Sequence, residues 1–393
     1  VNLDFLYGYL NLSFWGYVLA SLIMMQISIF GVTVYLHRDA AHRSVDLHPA
    51  IRHFFRLWIW MTSSMLTKEW VAVHRKHHAK CETAEDPHSP VIYGLKKVLL
   101  EGAELYAVER RKTETLEKYG RGCPDDWVER NVYSKYRNAG IISMALIDIF
   151  LFGVPSIIIF AVQMLTFPVL AAGVINGLGH AVGYRNFECP DAATNVMPFG
   201  LLIGGEELHN NHHAFPSSAK FSIQPWEFDP GWAMISFFKF FGLAKVQRTA
   251  PKPVKVAGKH VDLETVRAVI VNRMHVIRDY TRTVMLPVLR HEVSVAGHKL
   301  GEGVRHLLVR ESSLLDEKAK SRLAKSLEQS KALHTVHEFR TKLQLLWNSN
   351  MSNDNLLLHL KEWIAQAEAS GIKSLQDFAA TLRSYSMPAM ATA

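Results

Sequence analysis

The sequence predicts an all-α protein: an integral membrane helical bundle with a cytoplasmic helical cap bearing a histidine-box di-metal site. Three observations carry that expectation. Long uncharged apolar stretches are followed by basic segments, histidines gather in short boxes at helical spacing, and the last third of the chain is charged with the apolar period of amphipathic helices. Whole-chain averages conceal this division. Of the 393 residues 49% are hydrophobic, yet the mean hydropathy is only +0.03, a value typical of a water-soluble protein.

Taken in order, residues 12–36 contain no Asp, Glu, Lys or Arg and are long enough for one bilayer crossing. No Lys or Arg precedes them, and cleavage behind them would cut into the first histidine box, so a retained anchor is expected instead of a signal peptide. Residues 54–67 are apolar and aromatic but too short to span, which predicts a re-entrant or interfacial segment. Between residues 138 and 184 the only charge is Asp148. That length allows two spans, about 138–158 and 160–180, with a turn near Pro155 or near residues 166–168. Arg38, Arg43, Arg52, Arg56, Lys68, Arg75 and Lys76 follow the first span and place that side in the cytoplasm, with the N-terminus outside. The membrane domain then runs over residues 1–249.

From residue 231 to 261 six Lys and Arg occur without an acid, beside Trp232, Phe237, Phe238, Phe240 and Phe241. This reads as an interfacial helix drawn to anionic lipid, with docking of an acidic electron carrier as the alternative. Nothing in it matches a nucleic-acid recognition motif, despite a pI near 9.2. Residues 250–261 read as a linker, and 262–393 as a cytoplasmic helical extension. There, a helix from Asp262 to about Met285 should end or kink at Pro287, and a second should cover residues 314–347. Ser352 and Gly371 should bound a third, and Ser374 with Asp377 should start the last. His275, His291, His298, His306, His334, His337 and His359 form no tight box and read as surface residues. Cys81, Cys123 and Cys189 are isolated, which supports neither disulfides nor a cysteine-rich metal cluster.

The histidines carry the chemistry. His74, His77 and His78 in H-R-K-H-H, and His209, His212 and His213 in H-N-N-H-H, repeat an i, i+3, i+4 spacing that places three imidazoles on one helical face. In H-R-D-A-A-H, His37 and His42 lie five apart, about 140 degrees around an ideal helix. They should serve different metals or straddle a helix end, with His42 past it. Asn176 and His180 share a face of the last span at i, i+4. So many neutral nitrogen donors without matching thiolates suggest two transition-metal ions. Boxes two and three can meet only if the apolar region between them crosses the membrane an even number of times.

The motifs, in order, are H-R-D-A-A-H-R-S at 37–44, E-W-V-A-V-H-R-K-H-H at 69–78, E-D-P-H at 85–88, N-G-L-G-H-A-V-G-Y-R at 176–185 and G-E-E-L-H-N-N-H-H-A-F-P at 205–216. In these the chain resembles the membrane-bound fatty acyl desaturases, which include stearoyl-CoA desaturase and bacterial delta-9 acyl-lipid and acyl-CoA enzymes. The resemblance covers roughly residues 15–245. It implies two iron ions held by His37, His42, His74, His77, His78, His180, His209, His212 and His213, with Asn176 reaching one metal through water, and a kinked tunnel for the acyl chain. A purified sample can carry another metal such as zinc. It also implies O2-dependent formation of a cis double bond, at the delta-9 position, in a saturated acyl chain delivered as acyl-CoA or phospholipid. Two features depart from the family: Asp39 stands where a large apolar or aromatic residue is usual, an acid expected to face solvent or to hydrogen-bond a ligand histidine, and the chain before His37 is too short for the first two of the four spans of the animal relatives.

An unactivated methylene pair yields its hydrogens only to an oxidant that side chains cannot supply, so metal-activated O2 and two external electrons are required. The one string similar to a haem-binding motif, His48-Pro49-Ala50, lacks the glycines of a fused cytochrome. A separate ferredoxin- or rubredoxin-type donor with its reductase is therefore expected. A fatty acid or alkane hydroxylase of the same histidine-box superfamily is the alternative enzyme. A non-catalytic membrane metal-binding protein would need polar residues through its spans. The expected location is the inner (cytoplasmic) membrane, multi-pass, with the active site on the cytoplasmic side.

Overall fold

A computed structural model describes residues 4–296, 303–348 and 350–388. The protein is mostly helical and divides into two compact units, Val1–Arg185 with Asp191–Ala250, and Asn186–Pro190 with Pro251–Ala393.

The first unit begins with helix α1, Phe14–Phe30, whose N-cap Ser13 accepts a hydrogen bond from the Gly16 N–H. It continues without a break into a π-helical stretch, Gly31–Ala41, so that one apolar helix runs over Phe14–Ala41. His42 closes it with a π-type bond from its N–H to the His37 carbonyl at 3.0 Å. Arg43 then adopts φ 51°, and Ser44 N–H returns to the Arg38 carbonyl at 2.8 Å, a left-handed stop of the kind that ends helices. Strand β1 (Val45–Leu47) follows and pairs antiparallel with β2 (Ala244–Val246).

Helix α2, Pro49–Ser63, covers most of the segment expected to be re-entrant or interfacial and is a regular amphipathic helix. Phe55 and Ile59 bury against the π-helical stretch, where Gly31 leaves room for Ile59. Ser64, at φ 54°, ends it, and α3 (Thr67–Lys80) begins after a three-residue break. The one-turn helix α4 (Pro90–Tyr93), α5 (Leu95–Glu109) and α6 (Thr113–Tyr119) follow.

The central apolar region forms a helical hairpin. Its first arm, α7 (Ala139–Phe152), ends where Gly153 takes φ 63° and Pro155 follows, at the first of the two expected turns. The turn therefore lies at residues 153–155 and not at 166–168. The return arm runs over Ser156–Leu178, as α8 (Ser156–Leu165), a π-helical stretch (Thr166–Ile175) and α9 (Asn176–Leu178). Phe14–Ala41 and Ser156–Leu178 are long and apolar enough to cross a membrane, whereas α7 is apolar but shorter. The chain near the N-terminus packs on the hairpin turn: Tyr9 N–H donates to Phe150 O and Val154 N–H to Leu6 O. Short α10 (His209–Ala214) and α11 (Pro230–Phe240), capped by Asp229, complete the unit.

The second unit contains α12 (Leu263–Val271), α13 (Arg273–Tyr280), α14 (Leu286–Ala296), α15 (Val304–Val309), α16 (Glu317–Glu328), α17 (Lys331–Asn348), α18 (Asn353–Ala369) and α19 (Lys373–Arg383). Strands β3 (Val254–Lys255) and β4 (Tyr385–Ser386) pair beside them. Tyr280, Phe339, Trp363 and Phe378 lie in its core. Asp262 and Thr265 form the expected capping box. Four expectations change. Pro287 sits inside the first turn of α14 without ending the helical path, because the π-helical turn Thr281–Met285 precedes it and alters the backbone pairing that proline would block. The helix expected over 314–347 breaks at residues 329–330 into α16 and α17. Ser374 lies within α19, which Ile372 precedes without a side-chain cap. His275 is buried, contrary to a surface role, with Nε2 3.0 Å from the Pro251 carbonyl. His298 lies outside the described residues.

Candidate metal centre and substrate cavity

Two adjoining imidazole clusters form where the π-helical end of the first long helix meets α3, α10 and the turn after α9. His37, His42, His74, His78 and His212 make one; ligand atoms from all five lie within 4.8 Å of one another. Their Nε2 atoms converge, at 3.0 Å for His37 and His212, 2.8 Å for His42 and His74, and 2.9 Å for His78 and His212. The second joins His77, His180 and His213, with Cys81 at its edge. His180 Nε2 lies 3.2 Å from His77 Nε2 and 3.0 Å from His209 Nε2.

In one place the arrangement follows the second of two expectations, and in three it differs from what the sequence suggests. His37 and His42 enter the same cluster: five residues is close to one turn of a π-helix, so both rings project the same way, while His42 does lie just past the end. His74 and His78 go to one cluster and His77 to the other, so the middle helix serves both. His180 stands in the turn after the helix ending at Leu178, not on the helical face of Asn176. Asp39 is buried and faces neither solvent nor a histidine; Arg52 grips both of its oxygens at 2.7 and 2.6 Å, and Leu47 N–H donates to it.

Four carboxylates back the imidazoles from outside. His37 Nδ1 lies 2.7 Å from Glu206, His77 Nδ1 3.0 Å from Asp86, His180 Nδ1 3.1 Å from Glu82 and His213 Nδ1 3.1 Å from Asp191. Each carboxylate fixes the tautomer, so Nδ1 carries the proton and the Nε2 lone pair points into the cluster. These acids escaped the sequence reading as participants. Glu206 and Asp86 lay inside quoted motifs, but Glu82 and Asp191 had no signal beyond their charge.

The donor set fits metal ions. Burial holds His74, His78, His180, His209, His212 and His213 well below the ordinary histidine range, with neighbouring imidazoles adding to it, so they stay neutral. Burial also pushes Glu206 up to about 8 and Asp191 to about 6. His77 and His180, each held by a carboxylate, turn Nε2 lone pairs on one another at 3.2 Å, which calls for positive charge between them. His213 Nε2 is buried with no hydrogen-bond partner among the described residues.

A cavity of about 450 Å³ reaches the clusters. His37, His74, His77, His209 and Asn176 line one part; Val32, Ile141, Met164, Phe167 and Ile175 line an apolar part. Trp70 lies between, its ring stacked on His74 at 4.8 Å. Arg110 and Arg137, both paired with Glu69, add a charged portion of wall. The size and mostly apolar lining suit an elongated apolar ligand.

Comparison with known proteins agrees with the motifs. Residues 12–230 match the family model described as fatty acid desaturase. The chain is 30% identical over 240 residues to delta-9 acyl-lipid desaturase 1 of Arabidopsis thaliana, covering 58% of this chain and 74% of that protein. It is 31% identical to an acyl-CoA C20 delta5-desaturase of Anemone leveillei, over 55% of this chain and 68% of the relative. It is 29% identical to the sn-1 stearoyl-lipid 9-desaturase of Synechocystis sp., over 56% and 68%. Residues 262–391 match a second family model, described as transposase; that match covers the helical second unit and none of the nine clustered histidines. The chain belongs to the fatty acid desaturase family and is an oxidoreductase acting on acyl chains.

Proposed function

We propose that this chain is an O2-dependent desaturase that introduces a cis double bond, at the delta-9 position, into a saturated acyl chain carried on CoA or a membrane lipid. The observation that carries it is the meeting of two imidazole clusters with one largely apolar cavity. Two iron ions fit the clusters, one among His37, His42, His74, His78 and His212, the other among His77, His180, His209 and His213. The second set is one donor short of the first, and Asn176 lines the same cavity as His77 and His209, where it would hold a water that completes the set. Bound there, redox-active metal supplies the O2 activation that no side chain can. In the net reaction one O2, two electrons and two protons remove two hydrogens from adjacent methylenes and leave two waters.

The chain's own residues hold and exclude. The carboxylates of Glu206, Asp86, Glu82 and Asp191 keep four imidazoles oriented. The apolar wall from Val32 to Phe167 strips water from the acyl chain and holds a methylene pair against the clusters. We place the chain in the inner membrane with three crossings, as a helical bundle whose histidines form a cap at the cytoplasmic ends. The electrons come from a separate ferredoxin- or rubredoxin-type donor with its reductase. Two of the relatives above are named for position 9 and one for position 5, on lipid or CoA; the motif set and the two position-9 names support position 9.

Expression in a host that lacks the activity, followed by mass spectrometry of its fatty acids, tests this. New cis-monoenes that disappear with His212→Ala are expected. Alcohols in their place, or unchanged lipids despite bound iron and a working donor, overturn it.

A further inference from the structure

A second concavity, of about 530 Å³, opens on the opposite side of the π-helical stretch from the acyl cavity. The helix presents His37 to the acyl cavity but Tyr35, Asp39 and Ala40 to this one. Its charges are mostly positive. Arg52 lies there neutralised by Asp39 and Asp46. Arg43 and Arg248 are exposed and make no ion pair among the described residues, and neither does Lys245, which the β1–β2 register sets across from Asp46. Among the described residues Arg43 reaches only the Arg121 carbonyl, at 3.4 Å, and its guanidinium lies against Gly122, where any side chain would collide with it.

This basic wall stands directly behind the five-histidine cluster. Arg43 is the next residue after His42. Arg75 braces the join, donating to the Ala40 and Ala41 carbonyls from one edge and to the Tyr119 and Arg121 carbonyls from another. A partner seated on the wall is one peptide unit from an imidazole of the cluster. It also displaces nothing from the acyl cavity, which the substrate fills during turnover.

Resting on the desaturase reading above, we propose that the surface around Arg43 and Arg248 is the docking site of an acidic one-electron carrier protein. Unpaired arginines around a concavity attract acidic partners and speed their encounter. Each encounter moves one electron from the reduced carrier to the histidine-lined centre and leaves the carrier oxidised, so two encounters supply the pair that one double bond consumes.

The test uses the full-length protein with Arg43→Glu and Arg248→Glu, singly and together, and a plant-type acidic ferredoxin as probe. Turnover is measured against ferredoxin concentration at several ionic strengths, and again with dithionite and a small viologen mediator. Ferredoxin affinity is measured separately on immobilised protein. The double variant should raise the KM for ferredoxin and weaken its binding at least tenfold. It should also flatten the salt dependence seen in the native chain, and keep mediator-driven turnover within twofold. Unchanged ferredoxin affinity and salt response would overturn the proposal, as would a rise in the KM for the acyl substrate alone, which would assign the arginines to a substrate phosphate. If the native chain forms no alkene from either electron source, the desaturase reading falls, and the binding measurement still decides the docking face.

Discussion

His37 shows how much of the site depends on groups that the histidine motifs do not name. Its ring is buried, Nε2 facing His212 and Nδ1 held 2.7 Å from Glu206, which itself accepts a hydrogen bond from Thr33. Removing the charge behind a ligand histidine loosens its orientation and lowers its basicity, at a typical cost of about 10–100-fold in metal affinity. Glu206→Gln should therefore lose metal that much more readily during dialysis against a chelator, as read by elemental analysis. Asp39→Asn is the contrasting case. Asp39 holds Arg52 and the Leu47 N–H and touches no imidazole, so metal content should be unchanged while the melting temperature falls, corresponding to about 1 kcal/mol for weakened hydrogen bonds to a half-exposed arginine. The histidine spacing made the donors legible. It could not reveal Glu82 or Asp191, which reach their imidazoles only through folding, nor the burial of Asp39, which depends on an arginine thirteen residues away.

Helices decide how the donors are shared, and here period matters more than composition. Five residues are about 140 degrees apart on an α-helix but close to one turn of a π-helix; the π-helical stretch brings His37 and His42 together at the helix end, because apolar composition is compatible with either hydrogen-bond pattern. The same device recurs at Thr166–Ile175, against which α5 packs so closely that a Cβ on Gly102 would strike the Ala172 carbonyl. Gly102→Leu should push α5 off the return arm and deform the cavity that both elements line. The expected result is a loss of most acyl-chain binding and a lower melting temperature with metal retained; unchanged affinity for a non-reactive acyl analogue would show that α5 yields without affecting the cavity. In the second unit α13 buries His275, and burial holds it down to about 4, with Arg278 contributing. The folded form then binds fewer protons than the unfolded one between pH 4 and 6.5, so stability is complete above about 6.5 and declines as the pH falls to 4. His275→Gln should flatten that decline in a thermal melt followed across this window. The amphipathic pattern predicted helices in this region, but their breaks at residues 329–330 and the passage through Pro287 follow from packing that no single helix encodes.

At the scale of the molecule, the histidines and the chain near the N-terminus lie at opposite ends of the long helices. The helix Phe14–Ala41 is about 40 Å long, more than the roughly 30 Å hydrocarbon core of a bilayer, so in the proposed topology the turns bearing His37 would project beyond the apolar layer. At the other end Leu6, Tyr9 and Leu10 bond to residues 150–154 at the tip of the hairpin. Box two precedes the hairpin and box three follows it, and they share both clusters. A hairpin that crosses twice gives that result, while a single crossing would put His74 and His209 on different faces. Five of the seven basic residues that oriented the chain are structural: Arg38, Arg52, Arg56 and Lys76 pair with Asp229, Asp39, Asp126 and Glu109, and Arg75 holds backbone carbonyls. Orientation therefore rests on fewer free cations than the sequence counts, which makes it the property most in need of a direct measurement. With Cys81, Cys123 and Cys189 replaced by serine, a cysteine at Val154 marks the hairpin tip and one at Glu114 marks α6, which packs on α3 beside the histidines. A membrane-impermeant maleimide should label Val154→Cys in intact cells and Glu114→Cys only after the membrane is opened. The reverse pattern would invert the protein in the membrane, and labelling of both from one side would mean that the hairpin does not span it.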